Sequence, residues 1–279
     1  MSKKQTNITS QADFTWRQHF IPQFYLKQFA TQPGTKQLWV TPVDKLRDPR
    51  ISTSSSVKKS IPKKVGLYPY LYASQQGGRL DNSVEFQLGR LETEAAHTFR
   101  RFLASSYACT SDDKVVISLF LATLHTRNPR LIAEISKIRG KGDRSPEQIC
   151  QALNDPTFAD LAEREDFRRL LLDGSAITLK YIMAMEHDYF YFDTPILVTS
   201  DTPFYAIQGA FNSSSCIAFF PMNSKCLLVL RHGCRSRNVA APNTAGELAD
   251  GANMFTAQFA TKKLYSNSPL PPSFGEVST

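Results

Sequence analysis

Apolar and polar residues follow a helical period through the middle of the chain and a strand-like period elsewhere. In the first helical stretch the apolar positions are Val84, Leu88, Leu91, Ala95, Phe99 and Phe102. Thr110 and Asp113 then have the spacing of a capping box, and the helix predicted over residues 112–128 is apolar on nearly every side. Such a helix is expected to be central and to be the most buried element. Further helices are predicted over residues 166–185 and 245–262.

Short runs of β-branched and aromatic residues, bounded by turn residues, predict strands. The predicted strands cover residues 37–41, 67–72, 188–192, 196–199, 216–220 and 226–230. Helices in the middle and strands towards the end indicate an α+β fold, with a helical centre and a small, mostly antiparallel sheet from the C-terminal half. We predict a single domain over residues 14–265, a flexible N-terminus over 1–13 and a flexible tail over 266–279.

The segment that begins at His19 carries polar side chains within an apolar and aromatic run. Pro22 suits the first turn of a helix, where its missing N–H breaks no hydrogen bond, so a short helix is predicted over residues 22–30. Gln23 and Lys27 then share one helix face, with His19 one turn before them. This arrangement is typical of a general base with an amide and a cation for an anionic substrate. The alternative is a surface turn whose imidazole bonds to backbone.

Two carboxylates and one guanidinium are predicted to meet in the helical centre. Glu85 and Glu92 lie two turns apart on one face of the first long helix, and Arg127 ends the apolar second helix. Because a buried guanidinium must find an anion, we predict that Arg127 contacts Glu85 or Glu92, with a substrate phosphate or carboxylate as the alternative partner. The two carboxylates could also hold a divalent cation or share proton transfer. The structural alternatives are helix capping by Glu85 and a solvated or salt-bridged face for Glu92.

A further polar cluster follows the strand predicted at residues 196–199. Ser200 and Asp201 end this apolar strand, and Pro203 follows them. Ligand sites are often built at strand ends, so Ser200 is a candidate substrate ligand and Asp201 a candidate catalytic carboxylate. The alternative is a turn that the Asp201 side chain stabilises.

The overall charge and the cysteines bear on partners and location. The net charge of +8 and the pI of about 9.2 favour anionic partners, with nucleic acid first and acidic membrane second, although a solvated basic surface explains them equally well. The densest basic tract comprises Lys58, Lys59, Lys63 and Lys64. The five cysteines are odd in number and contain no CxxC pair, which predicts a reducing, cytoplasmic setting. No apolar run reaches the length of a membrane span.

The order and spacing of these clusters resemble a known family. The matching stretches are His19-x-x-Pro-Gln-Phe-Tyr-Leu-Lys27-x-Phe29, Leu38-Trp39, Glu85, Leu91-Glu92, Arg127-x-Pro129, Thr199-Ser200-Asp201-x-Pro203 and Phe220-Pro221. Over about residues 17–265 the chain resembles the domain-of-unknown-function family 4238, although Thr202 stands where that family usually has Asn. The resemblance implies no settled activity. It implies a bacterial or phage-associated cytosolic protein whose polar clusters converge in space.

Function is therefore inferred from the clusters themselves. The expected catalytic residues are His19, Glu85, Glu92 and Asp201, and the expected substrate-binding residues are Gln23, Lys27, Arg127 and Ser200. The leading hypothesis is a nuclease-like hydrolase of phosphodiesters or nucleotides, with a divalent cation as a candidate cofactor. The alternative is a non-catalytic nucleic-acid-binding or regulatory protein in which the same cluster is a structural network. An enzyme would place these side chains around an open cleft, whereas a network would bury them and pair them internally.

Overall fold

The computed structural model describes residues 17–31, 37–47, 57–69, 72, 74–76, 79–81, 83–104, 109–128, 161–233, 244–270 and 274. Over these ranges the protein is α+β, as predicted, with long helices in the middle of the chain and antiparallel sheets built from both ends. The predicted N-terminus (1–13) lies outside the described residues. So does Asn82, the partner of Glu85 in the predicted capping interaction.

The long helices lie close to where the apolar period placed them, although one begins at Leu161 rather than at residue 166, and a short helix over Val43–Arg47 was not predicted. They are α1 (Gln23–Leu26, continued by a 3-10 turn Lys27–Phe29), α2 (Val43–Arg47), α3 (Ser83–Ala104), α4 (Ser111–Thr126), α5 (Leu161–Ala184) and α6 (Ala245–Phe259). The predicted capping box begins α4, because the Thr110 hydroxyl accepts from the Asp113 N–H at 3.1 Å and the Asp113 carboxylate accepts from the Thr110 N–H at 3.0 Å. None of the helices in the described ranges is both long and apolar enough to cross a bilayer.

One four-stranded antiparallel sheet has the order β7–β11–β10–β9. Its strands are β7 (Glu186–Tyr191), β9 (Tyr205–Gln208), β10 (Ile217–Asn223) and β11 (Cys226–Arg231). Alternate residues of β10 face two different apolar clusters, since Phe220 packs with the long helices and Phe219 packs with α6. Both faces of the β10–β11 hairpin are therefore covered.

This hairpin is more completely buried than α4, so the prediction that the apolar helix is the most buried element is wrong. Every residue of β10 from Ile217 to Met222 is buried. In α4, Phe120 is fully buried but Leu119 only partly, and Val115 is 45% exposed. The reason is geometric: α4 packs against α3 and α5 but keeps a side facing solvent near its start.

The second four-stranded sheet joins distant parts of the chain in the order β3–β2–β12–β8. Its strands are β2 (Leu38–Pro42), β3 (Lys58–Ser60), β8 (Thr199–Ser200) and β12 (Lys263–Ser266). Two-stranded ladders add β1 (Arg17–His19) with β4 (Leu67–Pro69), and β5 (Ser74–Gln76) with β6 (Arg79–Asp81). Because β12 contains Ser266, and Leu270 is also buried, the tail predicted from residue 266 starts too early. The helix α6 ends at Phe259 rather than at the predicted residue 262, because the chain enters β12 at Lys263.

Tyr25 links the N-terminal segment to both four-stranded sheets. Its side chain is fully buried, its ring stacks on Phe220 at 5.0 Å between centroids, and its hydroxyl donates to the Pro221 carbonyl at 2.7 Å. The Thr199 hydroxyl lies 2.7 Å from the same phenol oxygen and must be the donor there, since the phenol has only one proton. One buried side chain therefore connects three of the stretches that define the family resemblance.

Replacing Tyr25 by Phe is expected to lower the free energy of unfolding by about 1–3 kcal/mol, because the Pro221 carbonyl and the Thr199 hydroxyl lose a buried partner. Urea unfolding measures the change. Tyr181→Phe is the matched control, because Tyr181 is partly buried in α5 without a hydrogen bond to another described residue. Equal losses in both variants would show that the Tyr25 hydroxyl stabilises nothing specific.

Candidate functional site

A pocket of about 400 Å³ lies between α1 and α3. The N-terminal segment contributes His19, Gln23 and Lys27, and α3 contributes Glu85 and Glu92. The rest of its lining consists of Phe24, Gly89, Thr93, Ala96, His97 and Arg100. Two clusters that are far apart in the sequence thus form the walls of one cavity.

The α3 wall follows the helical period. Starting from Glu85, lining residues recur at every three or four positions, which places them on one face of the helix. The residues predicted from sequence end at Glu92 and do not include Thr93, His97 and Arg100, although extending the same helical period by two turns identifies all three. His97 and Arg100 are exposed, so the outer end of the pocket carries an imidazole and a guanidinium.

Arg127 closes the inner side of this wall. Its Nη1 donates to Glu92 Oε1 at 2.7 Å, and its side chain is only 1% exposed. This confirms the prediction that Arg127 contacts Glu85 or Glu92. The Tyr72 hydroxyl is a second hydrogen-bond partner of the guanidinium and also donates to the His19 carbonyl at 3.2 Å. The guanidinium therefore connects the end of α4, the pocket face of α3 and the backbone of His19.

Glu85 carries the strongest electrostatic signature in the pocket. Burial raises the pKa of its carboxyl from an ordinary value of 4.5 to about 7; the Glu92 carboxylate raises it further, and the Arg127 charge opposes both. Within the described part of the chain the Glu85 carboxyl accepts no hydrogen bond that would hold it ionised. It is therefore a carboxyl that exchanges its proton near neutral pH.

The pKa of His19 is shifted in the opposite direction. Burial lowers the pKa of its imidazole below 6.5, backbone hydrogen bonds to Lys63 and Pro62 oppose that effect, and the positive charge of Arg127 lowers the pKa further. The ring is therefore neutral at pH 7. Its Nε2 has no hydrogen-bond partner among the described residues, and neither does Arg127 Nε, so two buried polar atoms lack a partner in this region.

Ser200 and Asp201 are not part of this pocket. The Asp201 carboxylate accepts from the backbone N–H groups of Thr261 (2.8 Å), Lys262 (2.7 Å) and Lys263 (3.2 Å), and the Ser200 hydroxyl accepts from a backbone N–H at 3.0 Å. Burial raises the pKa of Asp201 to about 6, and these N–H groups oppose the rise. The expectation of one site containing all eight residues is thus corrected for Arg127, which is buried against Glu92 and does not line the pocket, and for Ser200 and Asp201. The turn alternative describes Ser200 and Asp201 better, because they fix the entry into β12.

The candidate divalent cation has no evident ligand set in this part of the protein. Over the ranges that the structure describes, no three His, Cys, Asp or Glu side chains are grouped as metal ligands would be. Glu85 and Glu92 both line the pocket, but Glu92 is already engaged by Arg127. Cation binding therefore stays a prediction.

Fold and site together define an α+β protein with a polar pocket between a short N-terminal helix and a long central one. Its sequence over residues 17–269 matches the family described as "Protein of unknown function (DUF4238)", and the chain belongs to that family. No curated protein and no solved structure matches the chain.

Replacing Arg127 by Met is expected to lower the free energy of unfolding by about 3 kcal/mol or more, because the partly buried Glu92 carboxylate loses its partner. Arg90→Met on the exposed side of α3 is the control and should change stability by about 0.5 kcal/mol or less. Denaturant unfolding compares the two. A loss no larger than that of the control would mean that the pair does not hold α3 to α4.

The raised pKa of Glu85 predicts a stability that depends on pH. A carboxyl whose pKa is higher in the folded protein stabilises the fold fully below its ordinary value of 4.5, and loses that contribution as the pH rises through about 7. Glu85→Gln, which does not titrate, should therefore match the wild type near pH 4.5. At pH 8 it should be more stable by about 1–3 kcal/mol.

Unfolding curves recorded between pH 4.5 and pH 8 test this expectation. Glu94→Gln serves as the control, because Glu94 lies on the exposed side of the same helix. A difference between Glu85→Gln and wild type that does not change with pH would contradict the assignment of Glu85 as a strained, titrating carboxyl.

Proposed function

We propose that this protein is a nuclease-like hydrolase that cleaves phosphodiesters or nucleotides by acid–base catalysis in the α1–α3 pocket. The observation that supports the proposal most directly is a carboxyl and an imidazole in one pocket with pKa values displaced in opposite directions. Environments that separate two pKa values in this way assign an acid and a base. Neutral pH then populates a protonated Glu85 together with a neutral His19.

The roles follow from these protonation states. The Nε2 of His19 is buried and has no hydrogen-bond partner among the described residues; once the ring is exposed to the pocket, it accepts a proton as a water oxygen forms its bond to phosphorus. The bond from phosphorus to the leaving oxygen breaks, and Glu85 donates its proton to that oxygen. His19 is left protonated and Glu85 ionised, and exchange with solvent restores both groups. Atoms and charge balance without a further reactant.

The other side of the pocket supplies anion binding. Lys27 and Arg100 line the cavity and offer positive charge to phosphate oxygens, and Gln23 offers an amide. A cavity of about 400 Å³ is within the usual range for a small-molecule site and suits a nucleotide. Glu92 is better described as a positioning residue than as a catalyst, because its contact with Arg127 occupies one carboxylate oxygen.

A non-catalytic function in nucleic-acid binding or regulation is the second candidate. It is favoured by the buried half of the original cluster, where Arg127 and Asp201 are enclosed and bonded to the protein itself. On this account the pocket binds an anionic ligand without converting it. The two candidates differ in one observable, which is turnover.

We also propose that the protein works in the reducing interior of a cell. The cysteines in the described ranges, Cys109, Cys216 and Cys226, are free, and Cys216 and Cys226 are buried. The bacterial or phage-associated setting implied by the family resemblance belongs to the same proposal.

Hydrolysis should be assayed with bis(p-nitrophenyl) phosphate, single- and double-stranded DNA, RNA and free nucleotides, with magnesium or manganese and with chelator. We expect His19→Ala and Glu85→Gln to lose turnover by about 10²–10⁴-fold, the usual contribution of a general acid or base. Glu94→Gln should retain the wild-type rate. The thermal midpoint of each variant shows whether it folds.

The pH profile identifies the two groups. Wild-type turnover should rise as His19 loses its proton below pH 6.5 and should fall as Glu85 ionises around pH 7. The alkaline limb should disappear in Glu85→Gln. Absence of turnover on every substrate would overturn the hydrolase in favour of the binding protein, and wild-type rates in both variants would overturn these roles. Loss of turnover in chelator would add a metal to the reaction.

A further inference from the structure

Four exposed lysines form a basic strip beside the pocket. Lys58 and Lys59 belong to β3, the edge strand of the second sheet, and Lys63 and Lys64 belong to the 3-10 turn Pro62–Lys64 that follows it. Lys59 and Lys63 are four residues apart, so their Cα atoms are separated by at most about 14 Å. The backbone that carries the four lysines therefore spans one short stretch, although Lys58 and Lys59, as successive strand residues, point to opposite faces of β3.

The strip reaches the wall of the pocket. The backbone of Pro62 and Lys63 hydrogen-bonds to the His19 ring, and the same turn packs against α1. His19 and Lys27 both line the cavity. A polyanion bound along the strip would therefore extend towards Lys27 and Arg100 in the pocket.

An aromatic ring lies at the far end of the strip. Trp39 of β2 is the direct cross-strand partner of Lys59 and is partly exposed. The Lys59 Nζ lies over its ring at 5.0 Å from the centroid. Such an exposed cation–π contact is weaker than stacking of a nucleobase on an indole. A base could therefore stack on Trp39 in place of the Lys59 ammonium, which would then contact a phosphate.

We propose that this strip binds single-stranded nucleic acid and directs it into the pocket, so that the substrate is a polynucleotide and not a free nucleotide. Phosphates contact the lysines, and a base stacks on Trp39. Alternating cations and an aromatic platform are the elements by which proteins bind single strands without reading their sequence. The cleavage part of this inference rests on the proposed function, whereas the binding part does not.

A nucleic acid fits these features better than an anionic membrane does. A lipid surface is flat and would engage the lysines without following the chain from them to the pocket beside α1. The strip instead leads to a cavity that continues the positive charge through Lys27 and Arg100. A flexible charged polymer can follow that path.

The test measures binding of a fluorescent single-stranded oligonucleotide, as DNA and as RNA, by anisotropy over a range of salt concentrations. The variants are the double substitutions Lys58→Gln with Lys59→Gln and Lys63→Gln with Lys64→Gln. The control is Lys180→Gln with Lys225→Gln, which removes the same charge from exposed positions on other elements. Trp39→Ala probes stacking, and Glu85→Gln probes the pocket.

We expect each strip pair to weaken binding by on the order of tenfold and to lower the salt slope by about 0.7 for each phosphate that a lysine no longer neutralises. Trp39→Ala should weaken binding with the salt slope unchanged, and the control pair should bind like the wild type. Glu85→Gln leaves the lysines and Trp39 in place, so it should bind the oligonucleotide while its turnover falls by about 10²–10⁴-fold, which separates binding from the proposed hydrolysis.

The inference is overturned if the strip pairs bind like the wild type or if the control pair weakens binding equally, since net charge would then explain the effect. It is also overturned if the wild type does not bind the oligonucleotide but binds vesicles containing phosphatidylserine. Binding of the strip to the oligonucleotide with no cleavage by the wild type would leave the binding inference standing and remove only the hydrolase.

Discussion

The contact between the buried Arg127 guanidinium and the Glu92 carboxylate is the interaction on which the pocket depends. An arginine that is 1% exposed needs an anion and further acceptors, and Glu92 and Tyr72 provide them. Meeting that requirement fixes the end of α4 against one face of α3. The same requirement places a fixed positive charge close to His19 and Glu85. The electrostatics of the pocket are therefore a consequence of how the helices are joined.

The family stretches divide into two groups according to what they contact. Tyr25 and Asp201 are satisfied by the protein itself: the first joins the N-terminal segment to both sheets, and the second holds the entry into β12. His19 and Glu85 line the pocket; burial lowers the pKa of His19 and raises that of Glu85 to about 7. The group with Tyr25 and Asp201 thus stabilises the fold, and we propose a chemical role for the group with His19 and Glu85. This division explains why the same set of residues suggests both an enzyme and a structural network.

Much of the helical part followed from sequence, because apolar period and capping are local properties. The Arg127 contact was also predictable, since charge burial at the end of an apolar helix permits few partners. The sheet was predicted less well. Strand β12 has no strong local pattern and forms because β2 and β8, which are distant in the sequence, offer it edges to pair with. Asp201 was misplaced for the same reason, as its partners come from backbone some sixty residues later in the chain.

The central claim is that burial and the neighbouring Glu92 carboxylate raise the pKa of Glu85 to about 7. Carbon-13 NMR of the glutamate side-chain carboxyl carbons tests it directly, with the Glu85 resonance assigned by its loss in Glu85→Gln. The account predicts a titration midpoint at about 7, and a higher midpoint in Arg127→Met if that variant folds, because the opposing positive charge is gone. A Glu85 midpoint at its ordinary value of 4.5 would contradict the account, since the pocket would then hold only a solvated surface carboxylate.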